Sequence, residues 1–123
     1  MNTQRLYPLF FLLVLPAALA ADDLGPYKQA TTSYRIYGGG LGDPTIPTPS
    51  DKKIAFSIEG SAAKQIFEAI GPDKKDVCSE GSDIRFRSRD NENLICLRSK
   101  ENTYTCSFGF DLVSGKSIGG SIC

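Results

Sequence analysis

The sequence of 123 residues contains no histidine. Because histidine is the usual general base near neutral pH, the chain cannot assemble a Ser-His-Asp triad or a Cys-His nucleophile. Two carboxylates would suffice for glycoside hydrolysis, but the acidic residues between positions 59 and 83 show no spacing that singles out a pair. They are typical of solvated helix ends and turns. We therefore expect a protein that is not an enzyme and needs no cofactor.

An excess of charge of one sign is also missing, since 14 Lys and Arg residues stand against 14 Asp and Glu residues. A chain with this balance has no global attraction for nucleic acid or for anionic lipid. We expect no nucleic-acid partner, and we expect any binding to use a local patch of the surface.

The chain has no apolar run of the roughly twenty residues that span a bilayer. Its longest run extends from Leu6 to Leu15, after the basic residue Arg5, and is followed by Ala18-Leu19-Ala20. This order of basic, apolar and small-x-small segments is the pattern of a secretion signal. Residues 1–20 are therefore predicted to be a signal peptide cleaved after Ala20. The mature protein would be secreted or periplasmic, without a transmembrane anchor.

The four cysteines are even in number, and in an oxidising compartment they predict two disulfides. Structural zinc is disfavoured and no metal site is expected, because C-x-x-C pairs and histidine are missing. Two hairpins are predicted near the C-terminus. The register of the first places Cys106 opposite Cys96, and the register of the second places Cys106 opposite Cys123, so two disulfide pairings stay open. We narrowly favour Cys78 with Cys96 and Cys106 with Cys123. The close rival is Cys78 with Cys123 and Cys96 with Cys106.

Residues 21–53 are predicted to form an N-terminal segment with little regular structure. Tyr34 and Ile36 alternate with Arg35, which predicts a short strand from Ser33 to Tyr37. Residues 38–53 are dense in glycine, proline and small polar residues, which is typical of a long loop or linker.

Residues 54–123 are predicted to form the disulfide-stapled core. Ile54, Phe56 and Ile58 alternate with small residues and indicate a strand with one face in the core. A helix capped by Ser61 and ended by Gly71-Pro72 follows. The rest is predicted to be a β-meander. Alternation predicts strands around residues 84–89 and 104–110, a continuous apolar run predicts one at 94–97, and a tight turn at Ser114-Gly115 leads into a last strand at 117–123. The predicted fold is a small single α+β domain, with one helix packed on an antiparallel sheet of about four or five strands.

Arg85, Arg87 and Arg89 are spaced two residues apart, so on a strand they share one face. Arginine forks bind carboxylate or phosphate groups in pairs of hydrogen bonds, which makes this row a candidate binding surface. The ordinary alternative is a solvent-facing strand protected from aggregation by its charges.

Tyr37, Gly39 and Gly40 mark a second candidate, a loop that contacts a partner. The glycine run does not match a phosphate-binding loop, because it leads into Asp43-Pro44 instead of a helix N-terminus. Tyr34, Tyr37 and Tyr104 are further candidate anchors, since tyrosine is enriched in interfaces.

Export, small size, disulfides and missing catalytic groups together favour a binding protein. We expect an exported protein that binds another protein, such as an inhibitor or immunity protein acting on a secreted or periplasmic hydrolase or toxin. The alternative is an envelope-associated or glycan-binding module that uses tyrosine and arginine side chains.

Overall fold

The computed structural model describes residues 3–5, 8, 10, 13, 24–77 and 79–122. Most of the predicted leader lies outside these residues. Seven strands and one helix follow in the order β1 (Thr31–Gly40), β2 (Asp43–Thr45), β3 (Lys53–Glu59), α1 (Ser61–Ala69), β4 (Arg85–Arg89), β5 (Leu94–Arg98), β6 (Tyr104–Asp111) and β7 (Ser117–Ile118). Among the described residues, no helix combines the length and the apolar character needed to cross a membrane.

The strands form one antiparallel sheet in the order β2-β1-β3-β6-β5-β4, and β7 pairs with β6 off this path. The predicted α+β domain with one helix on an antiparallel sheet is confirmed. The predicted four or five strands are too few, because the segment before residue 54 contributes two strands of its own. β1 pairs with β3 over seven residues, from Thr31 opposite Glu59 to Tyr37 opposite Lys53.

The prediction of a loop over residues 38–53 was wrong at its beginning. Gly38 to Gly40 continue β1 and pair with β2, with Gly38 opposite Thr45. A Cβ on Gly38 would lie 3.1 Å from the carbonyl oxygens of Ile46 and Asp51, so glycine is used here for close packing. Strand pairing and close packing therefore outweigh the low strand propensity of glycine.

Helix α1 begins at Ser61, so its N-cap lies one residue earlier than predicted. Gly60 occupies the N-cap position and no side chain caps the helix, so the prediction that Ser61 is the cap was wrong. The helix ends at Ala69 with Ile70 as its C-cap, directly before Gly71-Pro72, as predicted. Its buried residues Ala63 and Phe67 pack with the two bonded cysteines Cys96 and Cys106, and four partly buried side chains surround this cluster: Ile58, Ile66, Ile70 and Tyr104.

The disulfide joins Cys96 of β5 to Cys106 of β6, which lie directly opposite each other. The favoured pairing of Cys78 with Cys96 and Cys106 with Cys123 was therefore wrong. The physical reason is that β5 occupies the edge of β6 beside Cys106, whereas β7 pairs only with Gly109 and Phe110. The rival pairing is confirmed for its Cys96 bridge, and Cys78 and Cys123 lie outside the described residues.

Candidate functional site

The structure places Arg85, Arg87 and Arg89 on one face of β4, as predicted, and this face meets the end of α1. Arg87 Nη1 donates a hydrogen bond to the Phe67 carbonyl oxygen at 2.7 Å, and Arg89 Nη2 donates to the Gly71 carbonyl oxygen. The Arg87 guanidinium also lies 4.1 Å from the centre of the Phe67 ring. Carbonyls at a helix C-terminus lack partners within the helix and carry partial negative charge. The row therefore stabilises the end of α1.

Asp73 completes this cluster and was missed by the sequence reasoning. Arg85 Nε donates to Asp73 Oδ2 and Arg87 Nε donates to Asp73 Oδ1, each at 2.7 Å. The hydrogen bonds from Arg85 and then Arg87 hold the pKa of Asp73 below its usual range. The one available signal was that α1 has no basic residue in its last turn, so its end needed cations from elsewhere. A partner gripping these arginines would have to displace contacts already made within the chain.

Tyr37, Gly39 and Gly40 lie where β1 meets β2, beside Asp51 and Lys53. The Gly39 N–H donates to Asp51 Oδ2 at 2.9 Å, Lys53 Nζ donates to the Gly39 carbonyl oxygen at 2.9 Å, and Lys53 pairs with Asp51. Burial raises the pKa of Tyr37, which is only 3% exposed. Of the three predicted binding residues only Gly40 is exposed. Tyr37 is buried, and Gly39 is held by its hydrogen bonds with Asp51 and Lys53.

A third group of residues consists of apolar side chains on a part of the sheet that α1 does not cover. The register aligns Tyr34, Phe56 and Phe108 across three neighbouring strands, and the next row consists of Ile36, Ile54 and Phe110. We call these six residues the aromatic patch. Ring centres are 6.5 Å apart for Tyr34 and Phe56, 5.2 Å for Phe56 and Phe108, and 6.2 Å for Phe108 and Phe110.

The aromatic patch lies on the same face as α1, beyond the part that the helix covers. Its rows continue the row containing Ile58 and Cys106, which packs under the helix. Tyr34 is 70% exposed, Phe110 39% and Ile36 38%. The described residues place no other element over this part of the sheet.

Sequence reasoning predicted these strands, but it assigned the face of Ile54, Phe56 and Ile58 to the core. A helix of nine residues is only ~14 Å long and ~10 Å wide, whereas six strands side by side span ~25 Å. One short helix therefore cannot cover the sheet face, and this mismatch was the signal that would have found the patch.

The aromatic patch suits apolar contact with another molecule. Exposed clusters of aromatic and aliphatic side chains on a rigid sheet release water when they are covered, and aromatic residues anchor many interfaces.

Within the described part of the chain, no group of three or more Cys, Asp and Glu side chains is arranged to hold a metal ion. Every buried side-chain nitrogen and oxygen of the described residues has a hydrogen-bond partner.

Comparison of the chain with protein-family models, with curated proteins and with solved structures found no match to any of them.

Proposed function

We propose that this is an exported, non-enzymatic binding protein that docks a protein partner on the aromatic patch. The observation that carries the proposal is the exposure of Tyr34, Ile36 and Phe110 on a face where α1 stops short. Apolar patches on small proteins commonly mark interaction sites. The backbone beneath is a paired sheet, so the patch is pre-organised and loses little entropy when it binds.

A protein surface fits the patch better than a sugar does. Glycan sites combine a stacking ring with polar side chains that bind hydroxyl groups. In the aromatic patch only Tyr34 carries a polar group, and its five other members are hydrocarbon side chains. The envelope or glycan-binding role therefore stays the less favoured alternative.

The finer proposal is an inhibitor or immunity protein acting on a secreted or periplasmic hydrolase or toxin. It is supported by the export signal predicted for residues 1–20 and by the lack of histidine. The Cys96–Cys106 disulfide in the sheet also suits an oxidising compartment. The arginine row is proposed as a stabilising element, because its guanidinium groups bind Asp73 and the end of α1.

Affinity capture from secreted or periplasmic extract, followed by measurement of the dissociation constant, tests the proposal. Replacing Phe110→Ser removes an exposed apolar anchor of the patch, and we expect binding of the captured protein to weaken at least about tenfold. Val113→Ser is the matched control, because Val113 is an exposed apolar residue in the turn after β6.

Equal binding by the Phe110 and Val113 variants would show that the aromatic patch is not the docking site. Retention of the protein on insoluble cell wall, with no protein captured, would favour the envelope alternative.

A further inference from the structure

The outer edge of β1 is open from Thr31 to Tyr37. These residues pair with β3 on one side, and β2 pairs only with Gly38 to Gly40. Among the described residues no other strand pairs with β1, and residues 31–36 are all exposed. An open strand edge presents unpaired backbone N–H and C=O groups that readily accept another strand.

The opposite edge of the sheet is formed by β4, and it is not fully open. There the backbone N–H of Lys74 donates to the Phe86 carbonyl oxygen of β4 at 2.7 Å, so the chain partly covers that edge itself. The β1 edge has little of the usual protection, since residues 31–37 include no proline, lysine or acidic residue. Only Arg35 carries charge there.

The open edge matches a second copy of itself. In an antiparallel pair related by a two-fold axis, one residue lies opposite its own copy and its neighbours pair symmetrically about it. Residues 31–37 have Tyr34 at their midpoint, so all seven residues are used when Tyr34 faces Tyr34 of the second copy. Thr32 then faces Ile36, and all three side chains lie on the face of the aromatic patch.

The charges agree with this register. On the other face Ser33 lies opposite Arg35 of the second copy, so the two Arg35 side chains do not face each other. Without Arg5 of the predicted leader, 13 basic residues stand against 14 acidic residues, a formal net charge of about −1, so long-range repulsion between two copies is weak.

We propose that two copies of this chain join their β1 edges antiparallel, centred on Tyr34, into one continuous sheet. The pairing extends the row of Tyr34, Phe56 and Phe108 into the same row of the second copy. The aromatic patches of the two copies then form a single two-fold symmetric surface. The pairing itself needs no other partner, and it deepens the proposed function by doubling the docking surface.

Sedimentation analysis of the protein purified after export tests the pairing at concentrations up to about 500 μM. We expect a monomer–dimer equilibrium. Ser33→Arg places like charges opposite each other twice per dimer and raises the dimer dissociation constant about two- to thirtyfold. Ser33→Glu is the matched control at the same position, and it lowers the constant because it faces Arg35. The double variant Ser33→Arg with Arg35→Glu restores dimerisation relative to Ser33→Arg alone.

A monomer at every concentration overturns the proposal. So does a dimer whose dissociation constant responds alike to Ser33→Arg and Ser33→Glu, or one lost only in Phe110→Ser, which would place the contact on the sheet face. Circular dichroism of each variant checks its folding, and Ser33→Glu decides the question if Ser33→Arg does not fold. The dimer and the docking of a partner are tested independently. Sedimentation measures the dimer without any partner, and a monomeric Ser33→Arg protein keeps its aromatic patch, so its capture of a partner can still be measured.

Discussion

Asp73 shows how an alternating row of arginines acquires a structural role. The two-residue spacing of Arg85, Arg87 and Arg89 correctly predicts a shared strand face. Whether such a face meets solvent or a neighbouring element depends on residues far away in the chain. Here α1 ends above β4, so the arginines bind the Phe67 and Gly71 carbonyl oxygens and the Asp73 carboxylate.

We expect Asp73→Asn to lower the free energy of unfolding at pH 7 by about 0.5 to 1 kcal/mol, since the pairs are partly exposed to solvent. The folded-state pKa of Asp73 is lowered, so its charge stabilises the fold fully above the unfolded pKa of about 3.9. That contribution is lost as the pH falls through the folded pKa. Thermal unfolding of wild type and variant should therefore differ at pH 7 and converge at the lowest pH.

Asp83→Asn is the control, because Asp83 is an exposed carboxylate shortly before β4. An equal loss of stability in both variants, or a difference for Asp73→Asn that persists at low pH, would contradict the assigned ion pairs.

At the scale of elements, side-chain periodicity identified α1 and the strands β3, β4 and β6, and a continuous apolar run identified β5, whose neighbours Ile95 and Cys96 are both buried. It did not identify β2 or the end of β1, since pairing of glycine-rich backbone leaves no alternating pattern. The C-terminal segment depends on the same kind of backbone contact. A Cβ on Gly120 would overlap the backbone of Phe108 in β6, whereas a Cβ on Gly119 would be 3.7 Å from its nearest neighbour, the Glu92 carbonyl oxygen.

Gly120→Ala should accordingly lower the free energy of unfolding by about 1 to 3 kcal/mol, because the methyl group forces the C-terminal segment away from β6. Gly119→Ala is the matched control and should change stability by less than about 0.5 kcal/mol. Neither glycine has a positive φ, so the comparison isolates the steric contact. Urea unfolding midpoints measure both variants, and equal shifts would show that the segment does not pack against β6 as described.

For the molecule as a whole, the even number of cysteines predicted disulfide bonds but did not show which cysteines pair with each other. Only the strand register decides the pairing, since both hairpin geometries are possible in sequence. Of β5 and β7, only β5 pairs with β6 at Cys106. The part of the sheet that α1 covers is likewise known only when the elements are assembled. The helix leaves the aromatic patch uncovered.

Peptide mapping of the protein under non-reducing conditions should recover a Cys96–Cys106 peptide. If the protein forms two disulfides as its sequence predicts, the second is expected to join Cys78 to Cys123. The same mass spectra should show Ala21 as the first residue, because signal peptidase is expected to cut after Ala20. A peptide linking Cys106 to Cys123 would contradict the register of β5 and β6.

The sequence by itself determined the α+β class, the position of the helix, the shared face of the three arginines and the exclusion of histidine-based catalysis. These follow from local periodicity, turn residues and composition. The tertiary structure decided the cysteine pairing, the partners of the arginines, the open edge of β1 and the aromatic patch. The physical reason is that each of these depends on which strands lie side by side and on how much of the sheet one short helix covers. Contacts between distant residues decide both.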